Sequence, residues 1–154
     1  MEIIKINDAL RAEIVKFRGK IIVSRGKVHS IEKLPGYIAL MNGEIKGLIT
    51  FNILEDDCEI VSLDSKVENQ GIGTKLIDLV VSAAKQQNCK RVWLITSNDN
   101  IRAIRFYQKR GFDMKAIRRD AITEARKMKP TIPMSGYDGI PIRHEIEFEL
   151  LLDN

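Results

Sequence analysis

The sequence predicts an α/β fold: a mixed, mostly antiparallel sheet with one parallel strand pair near its centre and helices on both faces. Three observations carry this. Asn42-Gly43, the dipeptide favoured by a two-residue type I′ turn, separates two strand-like apolar runs, residues 37–41 and 44–54. At Gly71 and Gly73 the apolar spacing changes from that of a strand, residues 58–63, to that of a helix, with Leu76, Ile77, Leu79, Val80, Ala83 and Ala84 recurring at helical intervals. A further buried strand follows that helix, so the two strands are parallel and joined by a right-handed crossover.

Taken in order, residues 2–5 read as a short strand. Asn7 reads as an N-cap for an amphipathic helix carrying Ala9, Leu10, Ile14, Val15 and Phe17, which Gly19 ends. Residues 21–23 are apolar and β-branched, Ser24-Arg25-Gly26 breaks them, and residues 27–34 fit no single pattern. Pro35-Gly36 reads as a turn. The Asn42-Gly43 hairpin comes next, Glu55-Asp56-Asp57 makes a second turn, and residues 58–63 complete a three-stranded meander. The helix from Gly71 runs to about Asn88, and Val92, Trp93, Leu94 and Ile95 form the following strand. Asn100 opens another helix that stops at Gly111, residues 112–117 are a strand, and residues 120–128 read as helical. Residues 130–141 hold three prolines and two glycines and read as a turn-rich loop. In the closing strand, residues 142–152, Ile146, Phe148 and Leu150 alternate with Glu145, Glu147 and Glu149.

The 154 residues suit one domain, with 44% hydrophobic and 30% charged side chains. The absence of a membrane-length apolar run or a signal-peptide core predicts a cytoplasmic protein with no membrane partner. Cys58 and Cys89 read as small buried hydrophobes, not as a disulfide. Two histidines and no Cys-x-x-Cys argue against a metal. The net charge of +4 is uneven: residues 102–129 hold ten Lys and Arg against three acids. That suits an anionic ligand, or a solvated helix face. Nucleic acid is not expected, since no recognisable module or interleaved aromatics accompany the basic run.

The glycine turn has its own chemistry. Backbone N–H groups at a helix N-terminus lack intrahelical partners, and their dipoles favour an anion. Glycine there allows backbone to approach a phosphate. The turn is therefore a pyrophosphate grip, or simply a tight turn that needs glycine. No third glycine follows Gly73 as G-x-G-x-x-G requires, and G-K-[ST] is absent.

Residues 100–112, N-I-R-A-I-R-F-Y-Q-K-R-G-F, resemble the GNAT superfamily of N-acetyltransferases through Asn100, Ala103, Phe106, Tyr107, Gly111 and Phe112. Residues 68–73, E-N-Q-G-I-G, resemble the acyl-CoA signature Q/R-x-x-G-x-G/A of that family, and the two motifs occur in its order. Glu68 and Asn69 depart from the pattern. An acid beside a pyrophosphate is electrostatically unfavourable, which implies that Glu68 points away and backbone groups do the gripping. The resemblance is clearest over residues 37–112 and implies a single acetyltransferase domain over 1–154 that uses acetyl-CoA as co-substrate without a metal. By it, the parallel strands splay and an extended pantetheine arm lies between them. Leu63, Asn69, Gln70, Gly71, Ile72, Gly73, Thr74, Asn100 and Tyr107 are the implied acetyl-CoA contacts. Leu63 would offer an N–H to the developing oxyanion, and Tyr107 is the implied acid toward the leaving thiolate. Asn100 also serves as an N-cap, and Lys109 is either a contact to the 3′-phosphate region or a solvated lysine. The implied acceptor is a small-molecule or protein amine, and a homodimer is left open. Glu59, Asp64, Glu32 and His29 are candidates for the base, which stays unassigned, and Arg25 is a candidate on the acceptor side. Residues 124–143 look like a subgroup insertion. The competing expectation is a non-catalytic acyl-CoA-binding or sensing domain on the same fold.

Overall fold

The computed structural model describes residues 1–67 and 70–153. The strands are β1 (Glu2–Lys5), β2 (Ile21–Ser24), β3 (Lys27–Ser30), β4 (Gly36–Met41), β5 (Glu44–Leu54), β6 (Asp57–Ser65), β7 (Arg91–Ser97), β8 (Asp113–Arg118) and β9 (Glu145–Leu151). The helices are α1 (Arg11–Arg18), α2 (Ile72–Gln86), α3 (Ile101–Lys109) and the short α4 (Ala121–Ala125). Seven strands form one sheet in the order β1-β4-β5-β6-β7-β9-β8, and β2 and β3 make a separate hairpin. Every neighbouring pair in the large sheet is antiparallel except β6 and β7. This is the mixed sheet with a parallel central pair that the sequence predicts.

The parallel pair does not stay together. Its register runs from Asp57↔Arg91 to Ile60↔Leu94 and stops, although both strands continue. At the same level the β5–β6 ladder slips: Thr50 faces Ser62 while Phe51 faces Ile60, so Val61 is an extra residue. Such a bulge bends its strand and increases local twist. Beyond Ile60, β6 follows β5 and leaves β7, opening a gap between the strand ends.

Two apolar cores flank the sheet. On one face Ile49, Cys58, Ile60, Val92, Leu94 and Phe148 pack with Leu76, Ile77 and Val80 of α2 and Tyr107 of α3. On the other, Ile38, Leu48 and Val61 pack with Ile14 of α1, Ile22 of β2, Ile31 and Leu34. Cys58 and Cys89 are both buried, and burial pushes Cys58 up to about 12. Among the described residues no helix is long and apolar enough to cross a membrane.

Three local readings change. Ser24-Arg25-Gly26 does not merely break a strand. Arg25 and Gly26, at φ 50° and 76°, form the two-residue turn of the β2–β3 hairpin, as Asn42 and Gly43 do for β4–β5 at 53° and 79°. Pro35-Gly36 is not a turn, because Gly36 opens β4 and a Cβ there would collide with the Ile49 carbonyl oxygen. Helix α4 ends at Ala125, short of the expected Met128. Of the alternating glutamates of β9, which lies between β7 and β8, Glu145 and Glu147 are buried.

The segment between β8 and β9 is held by a few polar residues. Arg126 donates to the carbonyl oxygens of Ile132 (3.2 Å), Pro133 (2.6 Å) and Ile142 (2.6 Å). Asn98 Oδ1 accepts from the backbone N–H of Arg143 and of His144, both at 2.9 Å, and Asn98 Nδ2 donates to the Pro141 carbonyl at 2.9 Å. Lys129 Nζ reaches the Ile21 carbonyl at 2.9 Å, tying the segment to the β2–β3 hairpin. Replacing Arg126 with alanine strands three carbonyls at once. We expect Arg126→Ala to lose about 2 kcal/mol of stability, seen as a melting temperature lower by roughly 4–8 °C; an unchanged melting curve would show that the segment is held elsewhere.

Candidate active site

The gap between β6 and β7 opens into a cavity of about 600 Å³ bounded by Leu63, Ser65 and Val67, the first turn of α2, and one side of α3. Gly71 precedes α2 in the left-handed region at φ 70°, with open space where a Cβ would be. A side chain at Gly71 is thus opposed by backbone conformation. Gly73 is small for a different reason: a Cβ there would sit 3.1 Å from Phe106 Cζ, so its absence seats α3 against α2. Arg110 completes that joint, donating from Nε to Thr74 Oγ1 at 2.8 Å and from Nη1 to the Phe106 carbonyl at 3.0 Å, with its guanidinium 3.6 Å from the Phe106 ring centre. The charged residues of the lining are Arg102, Arg105, Lys109 and Arg110; no described carboxylate lines it. N–H groups at the α2 N-terminus, which lack partners within the helix, and four lining cations give this cavity a positive potential suited to a polyanion.

A second cavity, about 360 Å³, lies on the opposite side of the splayed strands. Ser24 and Ile22 of β2 and Ile122, Ile132 and Ile142 of the β8–β9 segment border it. Leu63, Ala103 and Tyr107 line both cavities, so the two meet there. Tyr107 is buried, in edge-on contact with Phe106 and Phe112. Burial, reinforced by the charge of Asp64, pushes its phenol up, so it holds its proton at neutral pH.

The charged residues of this second lining are Arg18 and three acids, Glu59, Asp64 and Glu145. Arg18 Nε lies 2.8 Å from Asp64 Oδ2, yet burial outweighs that pairing and pushes the Asp64 carboxyl up. Glu59 accepts from the Ser24 hydroxyl at 2.6 Å, and its other oxygen is 3.5 Å from His29 Nε2. Burial, then the charge of Lys27, pushes His29 down, so the imidazole beside Glu59 is neutral. Glu145 is 3% exposed. Its Oε2 accepts a long 3.4 Å bond from the Arg25 N–H, and Oε1 is buried with no hydrogen-bond partner. Burial pushes both Glu59 and Glu145 up. The neighbouring cations serve Glu147 instead. Arg118, Arg91 and Arg25 lie 2.6, 2.9 and 3.7 Å from its oxygens. Burial would push Glu147 up, but its bonds to Arg91 and Arg118 hold it low.

Of the residues expected from sequence, Leu63, Gly71, Ile72, Gly73, Thr74, Tyr107 and Lys109 line the first cavity. Gln70 is exposed at the bend before Gly71, and Glu68 and Asn69 lie outside the described residues. Asn100 caps α3 by accepting from the Ala103 N–H at 3.2 Å and borders the second cavity. Glu59 and Asp64 line the second cavity, His29 stands behind Glu59, and Glu32 is exposed. Arg25 reaches the site through its backbone while its guanidinium lies over Trp93. Arg110 and Glu145 were not singled out by sequence: one belongs to a basic run, the other to a regular alternation, and only the topology gives either a site.

The Glu145 carboxyl has consequences for stability. Its folded-state proton affinity is raised, so the folded chain holds the proton more tightly than the unfolded chain. That contribution is complete below the ordinary carboxylate range and is lost as pH rises through the raised value. We expect Glu145→Gln to melt higher than the wild type at pH 8, with the difference shrinking toward pH 5; a lower melting point at both would show that the carboxylate is stabilised by a partner.

Residues 16–112 match the acetyltransferase (GNAT) family. The chain is 49% identical over 123 residues to the protein YdhI of Bacillus subtilis (strain 168), covering 79% of this chain and 77% of that one. It is 45% identical over 128 residues to YxbD of the same organism, covering 82% and 80%. Its fold is shared with a Bacillus subtilis acetyltransferase solved in complex with CoA, at a TM-score of 0.70 and 21% identity over 99% of each chain. It is shared too with a GNAT family acetyltransferase from Elizabethkingia anophelis with acetyl-CoA bound, at 0.69 and 22% over 98% and 97%. The ribosomal-protein-S18-alanine N-acetyltransferase from Escherichia coli gives 0.73 and 15% over 99% and 94%. A splayed parallel pair, a glycine turn opening α2 and a family match spanning both lead to one conclusion: this chain belongs to the GNAT family of acetyltransferases.

Proposed function

We propose that the chain, acting as one domain over residues 1–154, transfers the acetyl group of acetyl-CoA to a primary amine by direct attack. The observation that carries this reading is the pair of cavities of opposite charge that meet at Leu63, Ala103 and Tyr107. The first cavity fits acetyl-CoA: the α2 N-terminus and Arg102, Arg105, Lys109 and Arg110 match its phosphates, and the free edge of β6 beyond Ile60 offers backbone groups to an extended arm. Bound there, acetyl-CoA supplies an activated acyl carbon.

The protein's part is positioning and proton transfer. The Leu63 N–H donates toward the carbonyl oxygen as negative charge builds on it. The amine nitrogen forms the new C–N bond, the C–S bond breaks, and the Tyr107 hydroxyl gives its proton to the leaving sulfur. Asp64, adjacent to Leu63 on the acceptor side and with raised proton affinity, takes up the amine proton directly or through water. No metal enters this scheme, and no cluster of three His, Cys, Asp or Glu suited to an ion occurs among the described residues.

Calorimetry in chelator should show acetyl-CoA binding that Gly71→Val weakens. Binding only after a divalent ion is added would overturn the metal-free reading. Free-thiol release across a panel of amines tests transfer itself; binding without thiol release from any amine would favour an acyl-CoA sensor. Tyr107→Phe keeps the ring and removes the donor. We expect kcat and kcat/KM to fall together by roughly 10²-fold, about 2.7 kcal/mol, with acetyl-CoA affinity nearly intact. Full kcat with weakened binding would make Tyr107 a contact residue only.

A further inference from the structure

The acceptor-side cavity carries information about which amine it takes. At about 360 Å³ it is of small-ligand size. The β2–β3 hairpin and the β8–β9 segment border it together, and Lys129 ties one to the other. Its apolar walls include Ile22, Ile122, Ile132 and Ile142, which suit a hydrocarbon body. Among the described residues its one lining cation, Arg18, is already paired with Asp64 at 2.8 Å and so poorly placed for a substrate carboxylate or phosphate. Glu145 is 3% exposed and its Oε1 has no partner. Glu59 is close by: the Ser24–Arg25 corner contacts both, through the Ser24 hydroxyl and the Arg25 N–H. The neighbouring arginines, Arg25, Arg91 and Arg118, make their ion pairs with Glu147, and Arg25 and Arg118 offset the burial of Glu145 only in part.

We propose that the acceptor is a small linear diamine, with one amine attacking at the Leu63–Tyr107 junction and the other, still protonated, held by the free carboxylate oxygen of Glu145 with Glu59 beside it. This deepens the acetyl-transfer reading and rests on it. A buried, unpaired carboxylate oxygen is costly unless a cation or donor meets it. A diamine supplies that cation together with an apolar chain for the isoleucine walls. Glu59 precedes Leu63 by four residues, at most about 13 Å of strand, an interval that a linear diamine and the reach of a glutamate side chain cover together. The two cavities then divide the labour by charge, a basic one for the polyanionic acetyl donor and an acidic one for the dicationic acceptor.

The test compares putrescine and cadaverine with n-butylamine, n-pentylamine and γ-aminobutyrate, whose far ends are ammonium, methyl and carboxylate. Thiol release is measured at saturating acetyl-CoA, and each amine is also titrated calorimetrically into the protein–CoA complex. A diamine should exceed its monoamine counterpart in kcat/KM by roughly tenfold or more, with γ-aminobutyrate poorest. Glu145→Gln should bring the diamine-to-monoamine ratio toward one, and Glu145→Asp should retain part of it; a general packing defect would lower both amines and leave the ratio in place. Equal use of diamines and monoamines, or preference for γ-aminobutyrate, would overturn the proposal. If no amine releases thiol, acetyl transfer itself fails, and calorimetry decides the site alone: tighter diamine than monoamine binding upholds the dication site, and equal binding overturns it.

Discussion

The site depends on a failure of strand pairing. Two parallel strands hydrogen-bond for four residues and then part, because Val61 is one residue too many in the ladder to β5. A bulge bends its strand and increases local twist, and here the ladder to β5 continues beyond it while the one to β7 ends. The consequence is an opening through the sheet, floored by backbone and flanked by α3. Leu63, Ala103 and Tyr107 are shared by both sides of that opening, so the two cavities meet at one point.

Each face meets its own electrostatic demand. On the α2–α3 side, Arg110 stacks on Phe106 and bonds Thr74, so a cation is fixed in place while the joint between the helices is closed. On the hairpin side, Glu147 is buried and ion-paired with three arginines. A buried carboxylate with several guanidinium partners is tolerable where a lone one is not. Glu145, two residues earlier on the same face of the strand, feels Arg118 and Arg25 only weakly, and its Oε1 has no hydrogen-bond partner. Burial therefore acts on the two glutamates in the same direction and pairing separates them.

Much of this was legible in the sequence where local rules decide. Asn42-Gly43 names its own turn, the change of period at Gly71 marks a strand giving way to a helix, and Asn100 caps its helix as its position suggests. The β2–β3 turn was not legible because its first residue is arginine, a poor signal for a positive φ. Pro35-Gly36 misled because the glycine answers a close approach of a neighbouring strand, and no local pattern reports that. Gly73 has a second role that no local pattern reports, since the ring it accommodates lies on another helix. The glutamates of β9 were unreadable as site residues because alternation reports two faces of a strand and is silent about which neighbours cover them. That depends on β9 entering between β7 and β8, a choice made by the whole chain.

Trp93 gives the molecule a property of another kind. It is the single tryptophan of the chain, and it stands on β7 between two guanidinium groups, those of Arg25 and Arg91, each 5.3 Å from its ring centre. Arg91 rises from the same strand, but Arg25 belongs to the hairpin corner whose N–H reaches Glu145. The indole is therefore an intrinsic optical gauge: its emission senses the distance of that corner from the sheet, and any movement of the hairpin as the second cavity fills is written into the fluorescence of the unlabelled protein.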